Sequence, residues 1–147
     1  MEINKIAILI KKASLQFDKI SNKILEPYEV SATQYKILKF LFAKEDHKAR
    51  ITDLEEFLSM THPTTIGHID YLEKKCLVER ITNPNDARGK LITPTKKAKS
   101  LEDELNKVGD DIENELTKNL NFKEKEEMVG LLNKLIGVWL KWVNWKL

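Results

Sequence analysis

The chain has 147 residues, with 25 lysines and arginines against 23 aspartates and glutamates. That length suits one compact domain, or a small domain with helical extensions. Hydrophobic residues make up 41% of the chain, enough for a buried core, and the five glycines and four prolines argue against a turn-rich β sandwich. The single cysteine, Cys76, excludes an internal disulfide framework, and no apolar run predicts a signal peptide or a membrane span. We therefore expect a cytoplasmic protein.

Charge is spread unevenly along the chain. Residues 31–100 carry 13 basic and nine acidic side chains, whereas residues 101–147 carry seven and ten. The bias is strongest over residues 74–99, where eight basic side chains stand against Glu79 and Asp86. A basic centre favours an anionic partner for this part of the chain, although charge alone leaves a solvated surface as an equal alternative.

The first part of the chain predicts three helices. Apolar residues recur every three or four positions from about residue 3 to residue 25, which indicates an amphipathic helix that ends before the proline at 27. Ser31 and Gln34 form a capping-box pattern that opens a second helix. A similar pattern beginning at Thr52 predicts the start of a short third helix.

A fourth helix is predicted from Thr61 to Lys75, because Pro63 is tolerated in a first turn but not in a helix interior. Two short helices joined by a tight turn form a helix-turn-helix. The side of the fourth helix that faces the core is expected to hold Thr65, Ile69, Leu72 and Cys76.

A β-hairpin is predicted to follow. Residues 77–82 alternate as in a strand, turn residues stand at 83–86 and at Arg88-Gly89, and residues 90–93 form a short return strand. A hairpin directly after a helix-turn-helix gives a winged helix, with residues 83–90 as the wing. The predicted fold class is therefore mainly α with a small β-hairpin.

Three amphipathic segments lie outside this winged helix-turn-helix: the first helix, one long helix beyond Thr95, and a last helix capped by Asn121. A small winged-helix core cannot cover three apolar stripes, and the tryptophans at 139, 142 and 145 are unfavourable to leave in water. The sequence therefore predicts a homodimer, with packing of the tryptophans within one chain as the alternative. The predicted organisation is a dimerisation helix over 1–30, a winged helix-turn-helix over 31–98, and dimerisation helices over 99–147.

Polar residues line the fourth helix opposite its apolar stripe. A helix fits the major groove of DNA, where each base pair presents a different set of donors and acceptors. Arg88 is expected to enter an A·T-rich minor groove, with Asp86 bonding the turn or positioning the arginine, and lysines would neutralise phosphates. The predicted DNA contacts are Thr61, His62, Thr64, Thr65, Gly67, His68, Tyr71 and Lys75 on the helix, Asn85, Asp86, Arg88 and Lys90 in the wing, and Lys96 and Lys97 at phosphates.

Three segments together resemble a known family. LEKKCLVER at 72–80, NPNDAR at 83–88 and ITPT at 92–95 are similar to the LEK(K/R)GLVxR…DxR…LT pattern of MarR-type regulators. The resemblance implies a homodimeric, sequence-specific transcription regulator, a repressor, that reads a pseudo-palindromic operator with recognition helices in major grooves and wings in minor grooves. It also implies a small lipophilic or phenolic effector. The candidate effector-lining residues, which also suit a simple core, are Phe17, Tyr28, Tyr35 and Phe42.

The sequence departs from that pattern in three places. Cys76 stands where the family usually has glycine, Ala98 where a glycine often begins the next helix, and Leu91 where a basic wing residue is common. Cys76 has lysines beside it that would favour a reactive thiolate, but a small buried residue is the favoured interpretation.

No motif predicts an enzyme. The three histidines lack metal-ligand spacing, and HExxH, CxxC, a glycine-rich phosphate loop and GxSxG are absent. We therefore expect no catalytic residue, no metal and no cofactor besides the effector, and double-stranded DNA and a second copy of the chain, not a membrane, as partners. Two alternatives stay open: a winged-helix module that binds a protein, and an intracellular ligand-binding protein without sequence-specific DNA binding.

Overall fold

The computed structural model describes residues 5–137. The elements are α1 (Ile6–Leu25), a 3₁₀ turn (Glu26–Tyr28), α2 (Ala32–Ala43), β1 (Ala49–Arg50), α3 (Ile51–Leu58), α4 (His62–Lys74), β2 (Val78–Asn83), β3 (Asp86–Pro94), α5 (Lys96–Ser100), α6 (Glu102–Leu116) and α7 (Phe122–Ile136). Helices with one small antiparallel sheet confirm the predicted fold class. Over this range no helix combines the length and apolarity that crossing a membrane requires.

Two helix starts follow the predicted local hydrogen bonds. Ser31 Oγ accepts from the backbone N–H of Gln34 at 3.1 Å, and Gln34 Oε1 accepts from the backbone N–H of Ser31 at 3.0 Å. Asn121 and Glu124 make the same pair of bonds at the start of α7, both at 2.9 Å. Each capping box satisfies two backbone donors that the helix itself leaves free, which confirms both predictions.

The start of α3 corrects a third prediction. Thr52 was expected to cap this helix, but α3 begins at Ile51, directly after β1. The carboxylate of Asp53 accepts from the backbone N–H of Arg50 at 3.0 Å and from its guanidinium at 2.9 Å. Hydrogen bonding from Arg50 also holds the pKa of Asp53 below its ordinary value. An ion pair, not a threonine hydroxyl, therefore completes the first turn.

The sheet has three antiparallel strands in the order β1-β3-β2. The short strand β1 was not predicted from the sequence; it pairs Ala49 with Ile92 of β3, and both residues are buried. The hairpin therefore rests on a third strand that comes from the segment before α3.

The tip of the hairpin also differs from its prediction. The return strand begins at Asp86 and not at Lys90, so Arg88 lies within β3 and not in a turn. Thr82 pairs with Lys90, but the next residue, Asn83, pairs with Asp86. The residues between these partners form an irregularity in β3, and bulges of this kind re-aim side chains at sheet edges.

Cys76 ends α4 in the left-handed conformation, with φ of 60°. Its backbone N–H donates to Glu73 O and that of Leu77 donates to Leu72 O, both at 2.9 Å, which is a Schellman motif. This conformation favours glycine, which explains why the resembled pattern has glycine here. The Cys76 side chain is exposed, so its predicted place on the buried side of α4 is wrong.

One continuous core joins α1, α2, α3, α4, the sheet and α6. Its largest fully buried side chains include Leu25, Ile37, Leu38, Leu41, Leu54, Ile69, Leu72, Ile92 and Leu105. The single helix predicted beyond Thr95 is divided at Leu101 into α5 and α6. Three residues of α6, Leu105, Val108 and Ile112, are buried within the chain, so this apolar stripe needs no partner subunit.

Unlike α6, the two ends of the described chain expose apolar side chains to solvent. The first half of α1 exposes Ile6 and Leu9 at 68% and 47%, and α7 buries none of its residues. The exposed apolar residues of α7 include Phe122, Met128, Val129, Leu131, Leu132 and Leu135. Trp139, Trp142 and Trp145, on which the dimer prediction partly rests, lie outside the described residues.

Candidate nucleic-acid interface

The first turns of α4 present polar groups to solvent. Thr61 and Thr64 are exposed and hydrogen-bonded to each other through their hydroxyls at 3.0 Å. The exposed ring of His62 lies with Nδ1 2.6 Å from Glu55 Oε1, on α3. A Cβ added at Gly67 would meet no atom within 4 Å, so tight helix packing does not explain this glycine. The first turns of α4 therefore expose four of the predicted contact residues on one surface: Thr61, His62, Thr64 and Gly67.

The structure removes Thr65 from the predicted DNA contacts. Its side chain is fully buried, and its hydroxyl donates to the carbonyl of Thr61 at 2.9 Å. The hydroxyl of a threonine inside a helix commonly bonds the carbonyl four residues earlier. Thr65 therefore faces the core, as its place in the apolar stripe indicates, and it does not face a groove.

His68 lies between the exposed surface and the core. Its ring is half-buried, and Nδ1 lies 3.3 Å from the side-chain nitrogen of Gln34. Gln34 is itself 8% exposed and belongs to the capping box of α2. The side chain of His68 is therefore held by α2 as well as by its own helix.

The last turn of α4 is tied to the corner before α2. Tyr71 donates its hydroxyl to the carbonyl of Glu29 at 2.7 Å, and Lys75 Nζ lies 3.0 Å from the Glu29 carboxylate. That hydrogen bond raises the pKa of Lys75. Glu29 has φ of 54°, in the left-handed region. Glu29 could not be identified from the sequence, because it lies 42 residues or more from both partners and belongs to no local motif.

The wing presents an arginine held through its backbone. Asp86 Oδ1 accepts from the backbone N–H of Arg88 at 3.0 Å, so Asp86 bonds the arginine itself, within β3, and not a turn. Asn83 Oδ1 accepts from the backbone N–H of Asn85 in the same way. The Arg88 side chain is exposed and makes no hydrogen bond or ion pair within residues 5–137. Asn85 and Lys90 are exposed beside it.

Arg80, in contrast, is used within the fold. Its guanidinium hydrogen-bonds to Asp70 at 2.7 Å and to Glu73, both on α4. The hydrogen bond that Arg80 donates to Asp70 is the main cause that raises the pKa of Arg80. Lys97 Nζ donates to the carbonyl of Lys75 at 3.2 Å and stays exposed. The basic segment therefore offers fewer free cations than its residue count indicates.

The candidate effector residues pack on the core. Phe17 and Phe42 are partly buried against it, and the hydroxyl of Tyr28 donates to Glu104 at 3.3 Å. Tyr35 is buried, which raises its pKa, and donates to the carbonyl of Leu105 at 2.7 Å. Both tyrosines contact α6 at successive residues, whereas the two phenylalanines lie on α1 and α2.

Gly109 of α6 lies close to the hydroxyl of the buried Tyr35. A Cβ on Gly109 would lie 3.1 Å from the hydroxyl of Tyr35, a tight contact that would require this hydroxyl to shift by a few tenths of an ångström. Within the described range, no three His, Cys, Asp or Glu side chains converge in an arrangement that would hold a metal ion.

The chain is similar to known proteins across this whole architecture. A family model described as the MarR family matches residues 30–90, which contain α2, α3, α4 and the hairpin tip. The multiple antibiotic resistance protein MarR of Escherichia coli K12 is 33% identical over 138 residues, which cover 92% of this chain and 93% of that protein. MarR of Salmonella typhimurium is 31% identical over the same shares of both chains.

Solved structures agree with these relatives. The reduced form of MarR from Escherichia coli superposes with a TM-score of 0.82 at 30% identity, covering 92% of this chain and 99% of that one. A mutant MarR from the same organism, complexed with operator DNA, gives a TM-score of 0.78 at 30% identity and covers 88% and 92%. Because the likeness in sequence and in fold extends over nearly the whole of both chains, the protein belongs to the MarR family.

Proposed function

We propose that the protein is a homodimeric, sequence-specific DNA-binding transcription regulator. The observation that carries the proposal is the exposed polar surface at the start of α4, one helix of a helix-turn-helix. The following hairpin adds Arg88, whose exposed side chain is unpaired among the described residues. The likeness to a MarR structure complexed with operator DNA supports it. The comparisons do not favour the two alternatives, an interaction module or a ligand-binding protein without DNA affinity.

The contacts divide by groove. Thr61, Thr64 and His68, next to the open space at Gly67, are assigned to base edges in the major groove, where short polar groups discriminate between base pairs. Arg88 is assigned to the minor groove, whose negative potential attracts a guanidinium. The phosphate contacts are assigned to Lys90, Lys96 and Lys97, which are exposed.

A second copy of the chain completes this function. The apolar residues of α7 have no cover within the described chain, and exposed apolar patches of this extent mark interfaces. A twofold dimer places two recognition helices about one turn of DNA (~34 Å) apart, which matches a pseudo-palindromic operator. α1 and α7, but not α6, supply the main apolar surface in this arrangement.

The regulator acts as a repressor, in the cytoplasm where its operator lies, and has no catalytic activity. Occupation of the operator excludes polymerase, and a small lipophilic or phenolic anion would release the dimer. Because the four candidate aromatics pack on the core, the effector would have to bind beside them or displace them. Titration of the DNA complex with a panel of such anions, followed by gel retardation, tests this part.

Selection of bound fragments from random duplex DNA tests the main proposal. The expected result is a pseudo-palindromic site with half-sites about ten base pairs apart, and an affinity that falls steeply between low and moderate salt. An absence of retardation of any duplex at low salt would overturn the proposal and favour the interaction module.

A further inference from the structure

The side-chain amide of Gln34 has an orientation that its own helix determines. One end of the amide accepts the backbone N–H of Ser31 at 3.0 Å. A backbone N–H is a donor only, so this end must be the oxygen, Oε1, and the nitrogen Nε2 must be the other end. The capping box therefore directs the NH₂ group of a nearly buried glutamine away from the start of α2.

That NH₂ group faces the ring of His68. Nε2 of Gln34 lies 3.3 Å from Nδ1 of His68. Because an amide nitrogen only donates, Nδ1 must accept, and in a neutral imidazole the proton then sits on the other ring nitrogen. His68 is thereby held as a hydrogen-bond donor at Nε2, on the side of the ring that points away from Gln34.

We infer that Gln34 is a positioning residue for base recognition, which holds His68 as a donor so that the base it reads must offer an acceptor. In the major groove guanine, adenine and thymine each offer an acceptor, whereas cytosine offers only its N4 amino donor. The position read by His68 should therefore disfavour cytosine. This inference rests on the proposed function, and it adds a residue of α2 that lies outside the predicted contact set.

Two substitutions separate positioning from simple stabilisation. Gln34→Glu keeps an acceptor for the N–H of Ser31, since glutamate is a usual capping-box residue, but it replaces the NH₂ donor by an acceptor. Nδ1 of His68 then carries the proton, and in the uncharged ring Nε2 loses its proton and becomes an acceptor. Ser31→Ala is the matched control: it weakens the cap by removing the hydroxyl that accepts from Gln34, and it leaves the backbone N–H that orients the amide.

Nitrogen-15 NMR of the histidine ring in the free, full-length protein tests the first step. At a pH of about 8.5, the wild type and Ser31→Ala should carry the His68 proton on Nε2. Gln34→Glu should show a protonated Nδ1. A wild-type proton on Nδ1, or the same change in Ser31→Ala as in Gln34→Glu, would overturn the inference without involving DNA.

Competition binding to operator duplexes that carry each base at each position tests the second step. Binding is measured at the same pH of about 8.5 as the NMR, because a doubly protonated ring in Gln34→Glu would still donate from Nε2. His68→Ala and Gln34→Glu should then both reduce discrimination against cytosine at one position per half-site by roughly 2- to 12-fold, the size of one net hydrogen bond. Ser31→Ala should retain it. The added negative charge in Gln34→Glu lowers affinity for all duplexes alike, so the readout is the base preference and not the total affinity.

The outcomes are distinct. If the wild type selects an operator but His68→Ala changes no base preference, or if Gln34→Glu retains the preference that His68→Ala loses, the inference is wrong and the proposed function stands. If the wild type selects no sequence at all, the proposed function and the inference fall together.

Discussion

The base and the tip of the β-hairpin each carry an arginine, and the two are held very differently. The Arg80 side chain, in β2, is 25% exposed and bonded to Asp70 and Glu73 of α4. Arg88, in β3, is exposed: Asp86 accepts from its backbone N–H, and its side chain has no hydrogen-bond or ion-pair partner within residues 5–137. Arg80, at the base of the hairpin, therefore joins the sheet to α4, whereas Arg88, at the tip, is available to an anionic partner.

The comparison shows why net charge along the sequence overstates the binding surface. Arg80 and Lys75 count toward the basic segment, yet both are paired with carboxylates from outside it. Pairing of this kind lowers the local potential without changing the total charge. The free cations are concentrated at the wing and at the start of α5, where Lys90 and Lys96 are exposed.

Replacement of the tip arginine should have the largest effect. Arg88→Ala should weaken DNA binding by about 1.5–3 kcal/mol, the size of a charge-assisted contact, with the greatest loss where flanking sequence is A·T-rich. The slope of log affinity against log salt should fall by about 1, and the free energy of unfolding should not change. Fluorescence anisotropy at several salt concentrations measures the first two, and urea unfolding measures the third. Unchanged affinity would show that Arg88 does not contact DNA, and the two arginines would then not differ in the role assigned to them.

Replacement of the base arginine should act on folding. Arg80→Met should lower the free energy of unfolding by about 1 kcal/mol, because its partners Asp70 and Glu73 are 60% and 41% exposed and solvent screens the pairs. Base preferences should be retained. Urea unfolding at a fixed protein concentration gives the stability, since a dimer's stability depends on concentration. A variant of full stability with a reduced salt slope would assign Arg80 the role given to Arg88.

Arg50, the third arginine, forms an ion pair with Asp53 that should make stability depend on pH. Hydrogen bonding from Arg50 lowers the pKa of Asp53. The pair therefore contributes stability above the ordinary aspartate pKa of about 3.9. That contribution is lost as the pH falls through the lower pKa of the folded state. Asp53→Asn should reduce the free energy of unfolding by less than about 1 kcal/mol at pH 7. The difference from wild type should shrink below about pH 4. An equal difference in urea unfolding at pH 7 and pH 3 would contradict this.

The smallest effect is expected where a paired cation is released. Glu29→Gln removes the partner of Lys75, which is then free to bind a phosphate, and the salt slope of DNA binding should rise by up to about 1. Stability should change by less than about 1 kcal/mol, because the carboxylate is 69% exposed. Glu26→Gln, which removes the same charge from the same turn, is the control and should leave the slope unchanged. Equal slopes for both variants would show that the Glu29 pair does not compete with DNA.

Much of the fold could be predicted because its signals are local. Short-range hydrogen bonds form the capping boxes at Ser31 and Asn121 and join the backbone N–H of Arg88 to Asp86. Each links residues two or three positions apart. Such bonds form as soon as a short segment adopts its conformation. The helix-turn-helix and the hairpin follow from these signals and from apolar spacing.

The errors have a common cause. Thr52 and Asp53 offer competing caps, and the sequence does not show that β1 ends at Arg50 and places its guanidinium beside Asp53. Cys76 follows an apolar stripe but takes the left-handed conformation that ends α4, which turns its side chain outward. In both places the backbone at a helix end decided the outcome: β1 leads into α3, and the Schellman motif closes α4.

The sequence by itself determined the order of the helices, the place of the wing and the polar character of one side of α4. Only the tertiary structure decided which of those polar groups are free: it buried Thr65, paired Lys75 with Glu29 and placed Gln34 against His68. Periodicity and capping depend on neighbours a few residues away, whereas these contacts join residues 34 and 46 positions apart or depend on the packing of the whole core. A linear pattern cannot encode such distances, because they exist only once the helices have packed.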